Sequence, residues 1–182
     1  MSKIRVGVDV DGVLRDFDGE LIKILKENGI DASHSTHWDD NVSKIIDGKS
    51  LKSLIWTEEI YLQRVFEKSS VFRKAKKGYD MLCRDPEIDV YIVTDQRNGT
   101  EEYTYTWLEK NGFDKHNETY IEQNKLNAPC QILIDDKPAN IEKYQNDHRI
   151  GLLMSRTHNQ SFDYHLRVND LIEAYKLIKD TI

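Results

Sequence analysis

At 182 residues the chain has room for one domain carrying a small inserted lobe. Apolar residues make up 38% and charged residues 32%, and apolar runs recur along the whole length, which excludes a disordered chain. The formal charge of −6 argues against an extended nucleic-acid-binding face, while 26 Lys and Arg leave cations enough for a local phosphate pocket. No apolar run approaches the roughly 20 residues needed to cross a bilayer, and the opening MSKIRVGVDVDG lacks the apolar core of a signal peptide or anchor. The expectation is a soluble cytoplasmic protein without a membrane partner, of open oligomeric state. Cys83 and Cys130 form no motif and read as buried free thiols.

In chain order, Ile4 to Val10 reads as a β-branched strand, apolar on both faces like the centre of a parallel sheet. Gly12 permits a turn after it. Phe17 to Asn28 has the spacing of a helix, ended by Gly29. Residues 31–67 are less regular and suggest short helices, so that 16–70 reads as an insertion covering one edge of the main domain. Trp38, Trp56, Tyr61 and Phe66 are expected to pack these helices. A strand–helix rhythm then resumes. Lys74–Arg84, Thr100–Lys110 and Pro138–Asn146 read as helices, and Asp89–Thr94, Cys130–Asp135 and His148–Leu153 as strands. Val168–Ile178 is expected to form a last amphipathic helix. The alternation implies a mostly parallel sheet with both faces covered.

Three of these strands end in polar residues: Asp9, Thr94 and Asp135. Ligands of open α/β sheets bind beyond the C-terminal strand ends, so these residues can meet at one site. Asp9 and Asp11 straddle the Gly12 turn, and Asp135-Asp136 forms a second acidic pair. Gathered together, four carboxylates repel, and a hard cation such as Mg²⁺ relieves that repulsion. A structural alternative exists for the second pair, with Asp136 capping the Pro138 helix. Thr94 can offer a hydroxyl, and Lys125 a point charge, to a phosphate.

The ordered set resembles the haloacid-dehalogenase-like (HAD) phosphohydrolases. Asp9-Val10-Asp11-Gly12-Val13-Leu14 is similar to their first motif, Thr94 to the second, Lys125 to the third and Asp135-Asp136 to the fourth. The resemblance implies a Rossmannoid three-layer α/β sandwich with a parallel sheet and a small helical cap. Residues 1–15 and 71–182 would be the core and 16–70 the cap. Asp11-Gly12-Val13-Leu14-Arg15-Asp16-Phe17, the cap length and the segment Asn159 to Tyr175 further resemble the 5′(3′)-deoxyribonucleotidases and their phage or bacterial relatives. The second motif differs, continuing Asp95-Gln96-Arg97 where those nucleotidases carry serine or alanine followed by proline.

By that resemblance Asp9 is the nucleophile and forms an aspartyl-phosphate. Asp11 is the general acid and then the base. Thr94 and Lys125 hold the phosphate. Asp9 and Asp135 hold Mg²⁺ through their carboxylates and Asp11 through its carbonyl, while Asp136 binds the Mg²⁺ through water or fixes the loop. Trp38 is the preferred base-stacking aromatic and Arg97 a second substrate contact; Arg156 and His158 can approach the phosphate face. The leading substrate is a deoxyribonucleoside monophosphate. Small non-nucleotide phosphate esters, 3′-phosphate ends of nucleic acids and a non-catalytic phosphate-binding role are the alternatives.

Overall fold

A computed structural model describes residues 3–32, 38–96, 99–113 and 118–181. Arg97 lies outside the described residues, as does the side chain of Trp38, so the two expected substrate contacts are not placed.

The chain opens with β1 (Ile4–Val8), then α1 (Phe17–Glu27) and α2 (Trp38–Ser43). A hairpin of β2 (Ile45–Ile46) and β3 (Lys49–Ser50) leads to α3 (Leu51–Thr57) and α4 (Glu59–Phe66). After these come α5 (Ala75–Arg84), β4 (Ile88–Thr94), α6 (Glu101–Lys110) and β5 (Thr119–Ile121). The remainder is β6 (Ile132–Asp135), α7 (Pro138–Asn146), β7 (Ile150–Met154), β8 (Arg167–Val168) and α8 (Leu171–Thr181).

Six strands form one sheet in the order β5-β4-β1-β6-β7-β8, with every pairing parallel. The central strand β1 pairs Val8 with Ile92 on one side and with Ile134 on the other. Alternate side chains of the strands enter opposite faces. Val6, Val8, Val90, Ile92, Ile132 and Ile134 pack with Tyr79 of α5, Trp107 of α6 and Ile178 of α8. Val93 and Leu133 pack with Ala128, Cys130 and Tyr144 of α7. Two apolar layers thus cover the sheet, and the expected three-layer architecture is present.

Residues 17–66 bury a separate apolar cluster that includes Leu21, Ile24, Leu25, Leu51, Ile55 and Val65. Phe66 is part of it, and Trp56 and Tyr61 pack against it, as their aromatic character led us to expect. The chain leaves and re-enters the core through paired segments: the Asp16 N–H donates to the Ser70 carbonyl (2.8 Å) and the Phe72 N–H to the Leu14 carbonyl (2.9 Å).

Several boundaries differ from the sequence reading. Val168 lies in β8 rather than in the last helix, because Asp170 caps that helix: its Oδ1 accepts from the Ile172 and Glu173 N–H groups, both at 3.0 Å. The strand expected at His148–Leu153 runs Ile150–Met154 and is followed by β8. His148 has φ +58°, a turn conformation ahead of the strand. The β2–β3 hairpin was not anticipated; its Asp47-Gly48 turn takes φ +49° and +78°, the two-residue geometry that an Asp-Gly pair favours. Cys130 is buried as expected, but Cys83 is half-buried. Among the described residues no helix is long and apolar enough to cross a membrane.

Candidate active site

The sheet topology brings the polar strand ends together. From β1 the chain builds outward through β4 to β5, then returns to lay β6, β7 and β8 on the opposite side. At such a reversal the loops beyond the carboxyl ends diverge and leave a crevice. Asp9 follows β1, and its N–H donates to the Ile134 carbonyl at 3.0 Å, which fixes it beside β6. Thr94 ends β4 and Asp135 ends β6. Each is 4% exposed or less, whereas polar groups at ordinary strand ends face water.

Asp9, Asp135 and Asp136 place one carboxylate oxygen each within 4.8 Å of one another, and all three residues are buried. Lys125 stands between two of them, its Nζ 2.8 Å from Asp9 Oδ1 and 2.7 Å from Asp135 Oδ2. It sits in a single 3₁₀ turn, Lys125–Asn127, and the Tyr144 hydroxyl donates to its carbonyl at 3.0 Å. The ammonium is held protonated: burial opposes the charge, but Asp135 and Asp9 overcome it and raise the pKa. Burial pushes Asp9 up to about 7, with Asp135 and Asp11 adding to the effect and Lys125 opposing it. Burial, Asp135 and Asp9 likewise raise Asp136, against the opposing charges of His158 and Lys125. Three acidic groups share one ammonium, with His158 beside Asp136, and their donors are all oxygen. That donor set fits a hard divalent cation.

The surrounding bonds hold this geometry. The Asp135 Oδ1 accepts from the Lys137 N–H (2.8 Å) and Oδ2 from Asn140 Nδ2 (2.9 Å). The Asp136 carbonyl accepts from Asn159 Nδ2 at 2.7 Å, and His158 Nε2 lies 3.1 Å from the same carbonyl and 3.4 Å from Asp136 Oδ2. Asp136 therefore turns its carboxylate into the cluster rather than serving only as a helix cap; the α7 cap residue is Lys137. Gly12 has φ +79° and lies directly under the Asp136 carboxylate.

Asp11 behaves differently. Its carboxylate is not among the three clustered oxygens. Instead Arg15 donates through Nε to Oδ1 (2.6 Å) and through Nη2 to Oδ2 (3.0 Å), and Gln96 Nε2 donates to Oδ2 (3.1 Å). Gln96 also donates to Thr94 Oγ1 at 3.0 Å, linking the first and second motifs. His158 meets the site through Asp136, while Arg156 donates to the Gly12 carbonyl and lies 3.9 Å from the Phe72 ring centroid. Sequence reasoning missed Arg15, Gln96, Asn140 and Asn159. Gln96 carried a signal as the residue where the second motif departs from the nucleotidase pattern, and Arg15 and Asn159 lay within the segments that resemble the nucleotidases.

The fold and this acidic crevice define a HAD-like phosphohydrolase. The chain matches, over residues 2–181, the family described as 5′ nucleotidase, deoxy (pyrimidine), cytosolic type C protein, and it belongs to that family. Comparison with curated proteins finds no match. Among solved structures, L-2-haloacid dehalogenase from Xanthobacter autotrophicus, with chloropropionic acid covalently bound, is similar with a TM-score of 0.64 at 8% identity, covering 100% of both chains. The HAD-type protein YfnB of Bacillus subtilis, solved bound to magnesium, is similar with a TM-score of 0.63 at 14% identity, covering 98% of this chain and 100% of its own. A haloacid dehalogenase-like protein of unknown function from Agrobacterium tumefaciens gives 0.66 at 12% identity, with 99% of each chain covered. Likeness at such low identity speaks to the fold. Family membership and the Asp9–Asp135–Asp136 cluster together identify an enzyme that hydrolyses small phosphomonoesters with Mg²⁺.

Proposed function

We propose that the enzyme dephosphorylates deoxyribonucleoside monophosphates in the cytoplasm through an aspartyl-phosphate on Asp9. The observation that carries the assignment of roles is the buried Lys125 bridging Asp9 and Asp135. It screens the two carboxylates from each other and leaves Asp9 aligned at the strand end. A carboxylate oxygen of Asp9 attacks phosphorus, the P–O bond to the leaving alcohol breaks, and Asp11 delivers the proton that alcohol needs. Asp11 then takes a proton from water, the water oxygen bonds to phosphorus, and the acyl-phosphate P–O bond opens to free Asp9 and inorganic phosphate. Thr94 and Lys125 hold the phosphoryl oxygens. Asp9, Asp135, Asp136 and the Asp11 carbonyl would hold Mg²⁺, which when bound would supply charge stabilisation to the transferring group.

Residues 16–70 are the cap in this reading, and they supply the contacts that choose the leaving group, with Trp38 and Arg97 as candidate substrate contacts. The separate apolar cluster of 17–66 and the paired entry and exit segments support it. The deoxynucleotide preference is supported by the family match.

The test is a Mg²⁺-dependent hydrolysis screen of 5′- and 3′-deoxynucleotides, ribonucleotides, sugar phosphates and 3′-phosphorylated DNA. Highest kcat/KM on deoxynucleoside monophosphates supports the substrate; preference for a sugar phosphate or a DNA end replaces it. Asp9→Asn is expected to abolish turnover while remaining folded, and substantial residual activity removes Asp9 from its role.

A further inference from the structure

Arg15 takes no part in the steps above, yet its side chain is fully buried beside them. It offers a planar fork with a fixed donor geometry, unlike the adaptable ammonium of lysine. One edge of the fork grips both Asp11 oxygens, at 2.6 and 3.0 Å. On the other side Nη1 donates to the carbonyl of Phe66, the last residue of α4, while Nη1 and Nη2 both lie 3.3 Å from the Thr104 hydroxyl of α6. The Phe66 and Trp107 ring centroids lie 5.2 and 5.4 Å from the guanidinium carbon. The backbone of Arg15 bridges Val71, so the residue stands where the chain departs for the 17–66 unit and returns from it.

A single stiff side chain therefore touches the Asp11 carboxylate, the last helix of the inserted unit and a helix of the core. A carboxylate has about four lone-pair sites. On Asp11, Arg15 and Gln96 occupy both on Oδ2 and Arg15 one on Oδ1, which leaves the remaining Oδ1 site for a proton. Displacing Phe66 must either break a bond to a buried cation or carry the guanidinium, and Asp11 with it.

We propose that Arg15 is a positioning residue that orients Asp11 for proton transfer and ties this orientation to the seating of the 17–66 unit on the core. The proposal rests on the acid–base role of Asp11. Arg15→Lys keeps the charge and loses the fork. Thr104→Val weakens the far side of the clamp and leaves the Asp11 pair in place. The assay is single-turnover phosphorylation of the enzyme by a deoxynucleoside 5′-monophosphate, whose alkoxide needs a proton, against p-nitrophenyl phosphate, whose phenolate does not. Arg15→Lys is expected to slow the nucleotide at least about tenfold more than the aryl ester, within the roughly 10²–10⁴-fold that a positioned acid contributes. Thr104→Val should show the same bias to a smaller degree. Equal losses on both esters overturn the orienting role.

The tie is read separately, by hydrogen exchange of the Asp16 and Phe72 amides, which bond across the two connecting segments. Coupling is reciprocal. In Asp11→Asn, which removes the charge Arg15 grips, these amides are expected to exchange several-fold faster than in the wild type, and unchanged rates overturn the tie. That measurement needs no Arg15 variant to fold. If Asp11→Asn phosphorylates from the nucleotide at the wild-type rate, the acid–base reading itself fails. If Asp11→Asn is inactive while Arg15→Lys slows both esters alike, only the Arg15 proposal fails.

Discussion

The Asp136 carboxylate fills the space that a side chain on Gly12 would need: a Cβ there would lie 1.8 Å from Asp136 Oδ2. With φ at +79°, Gly12 is also in a conformation that other residues adopt only with strain. Gly12→Ala must then displace Asp136 or the turn carrying Asp9 and Asp11. We expect a loss of about 1–3 kcal/mol in stability and roughly 10²-fold in kcat/KM, the size of effect that a 1 Å misplacement produces. Urea denaturation and steady-state kinetics check this, and a fully active variant contradicts the packing described.

Lys125→Met leaves Asp9 and Asp135 buried without their shared counter-ion. Removing one partner of a buried pair typically costs about 3–5 kcal/mol. Mg²⁺ can replace part of the missing charge, so adding it should raise the Tm of the variant by more than that of the wild type. Thermal denaturation with Mg²⁺ and with a chelator measures both effects, and an equal rise in the two proteins counts against the electrostatic role of Lys125.

Asp85 joins the α5–β4 turn to α8. Its carboxylate accepts from the Glu87 N–H (2.9 Å), the Tyr175 hydroxyl (3.0 Å) and Lys179 (3.2 Å). Burial raises its pKa, but the Glu87 N–H, Lys179 and Tyr175 together outweigh burial and hold it below the ordinary 3.8. A carboxyl with a lowered folded pKa stabilises above its unfolded pKa, and that contribution is lost as pH falls through the folded value. Asp85→Asn should therefore cost about 1–3 kcal/mol at pH 7, and the gap between variant and wild type should narrow towards about pH 3. Urea melts at the two pH values give the comparison; a gap that widens in acid contradicts it.

Burial pushes the Cys130 thiol up to about 12, despite the opposing charges of Arg5 and Arg149. The thiolate is the reactive form. Alkylation of Cys130 near neutral pH should therefore follow global unfolding, and mass spectrometry of the labelled peptide across a urea series would show it. Labelling that precedes the loss of secondary structure refutes this protection.

The polar ends of Asp9, Thr94 and Asp135 were legible because each closes an apolar strand, and parallel topology sends such ends to one side. Lys125 was legible only through its order among the motifs, since nothing local distinguishes it from a surface lysine. Arg15 and Gln96 were not read as site residues. Both act across the fold, Arg15 on Phe66 and Thr104 and Gln96 on Asp11, and no spacing in the chain encodes those contacts. The strand β5 and the two-residue β8 escaped notice because so few residues carry no periodicity. The β2–β3 turn could have been found from Asp47-Gly48, but its flanking strands are equally short.

The backbone bond between Asp16 and Ser70 means that the excursion between them starts and finishes at one place on the core. Segments whose ends lie side by side can be lengthened, shortened or exchanged without moving the sheet they spring from. A change of length or sequence within that excursion can therefore leave the strand ends undisturbed, since those are held by the packing of six parallel strands.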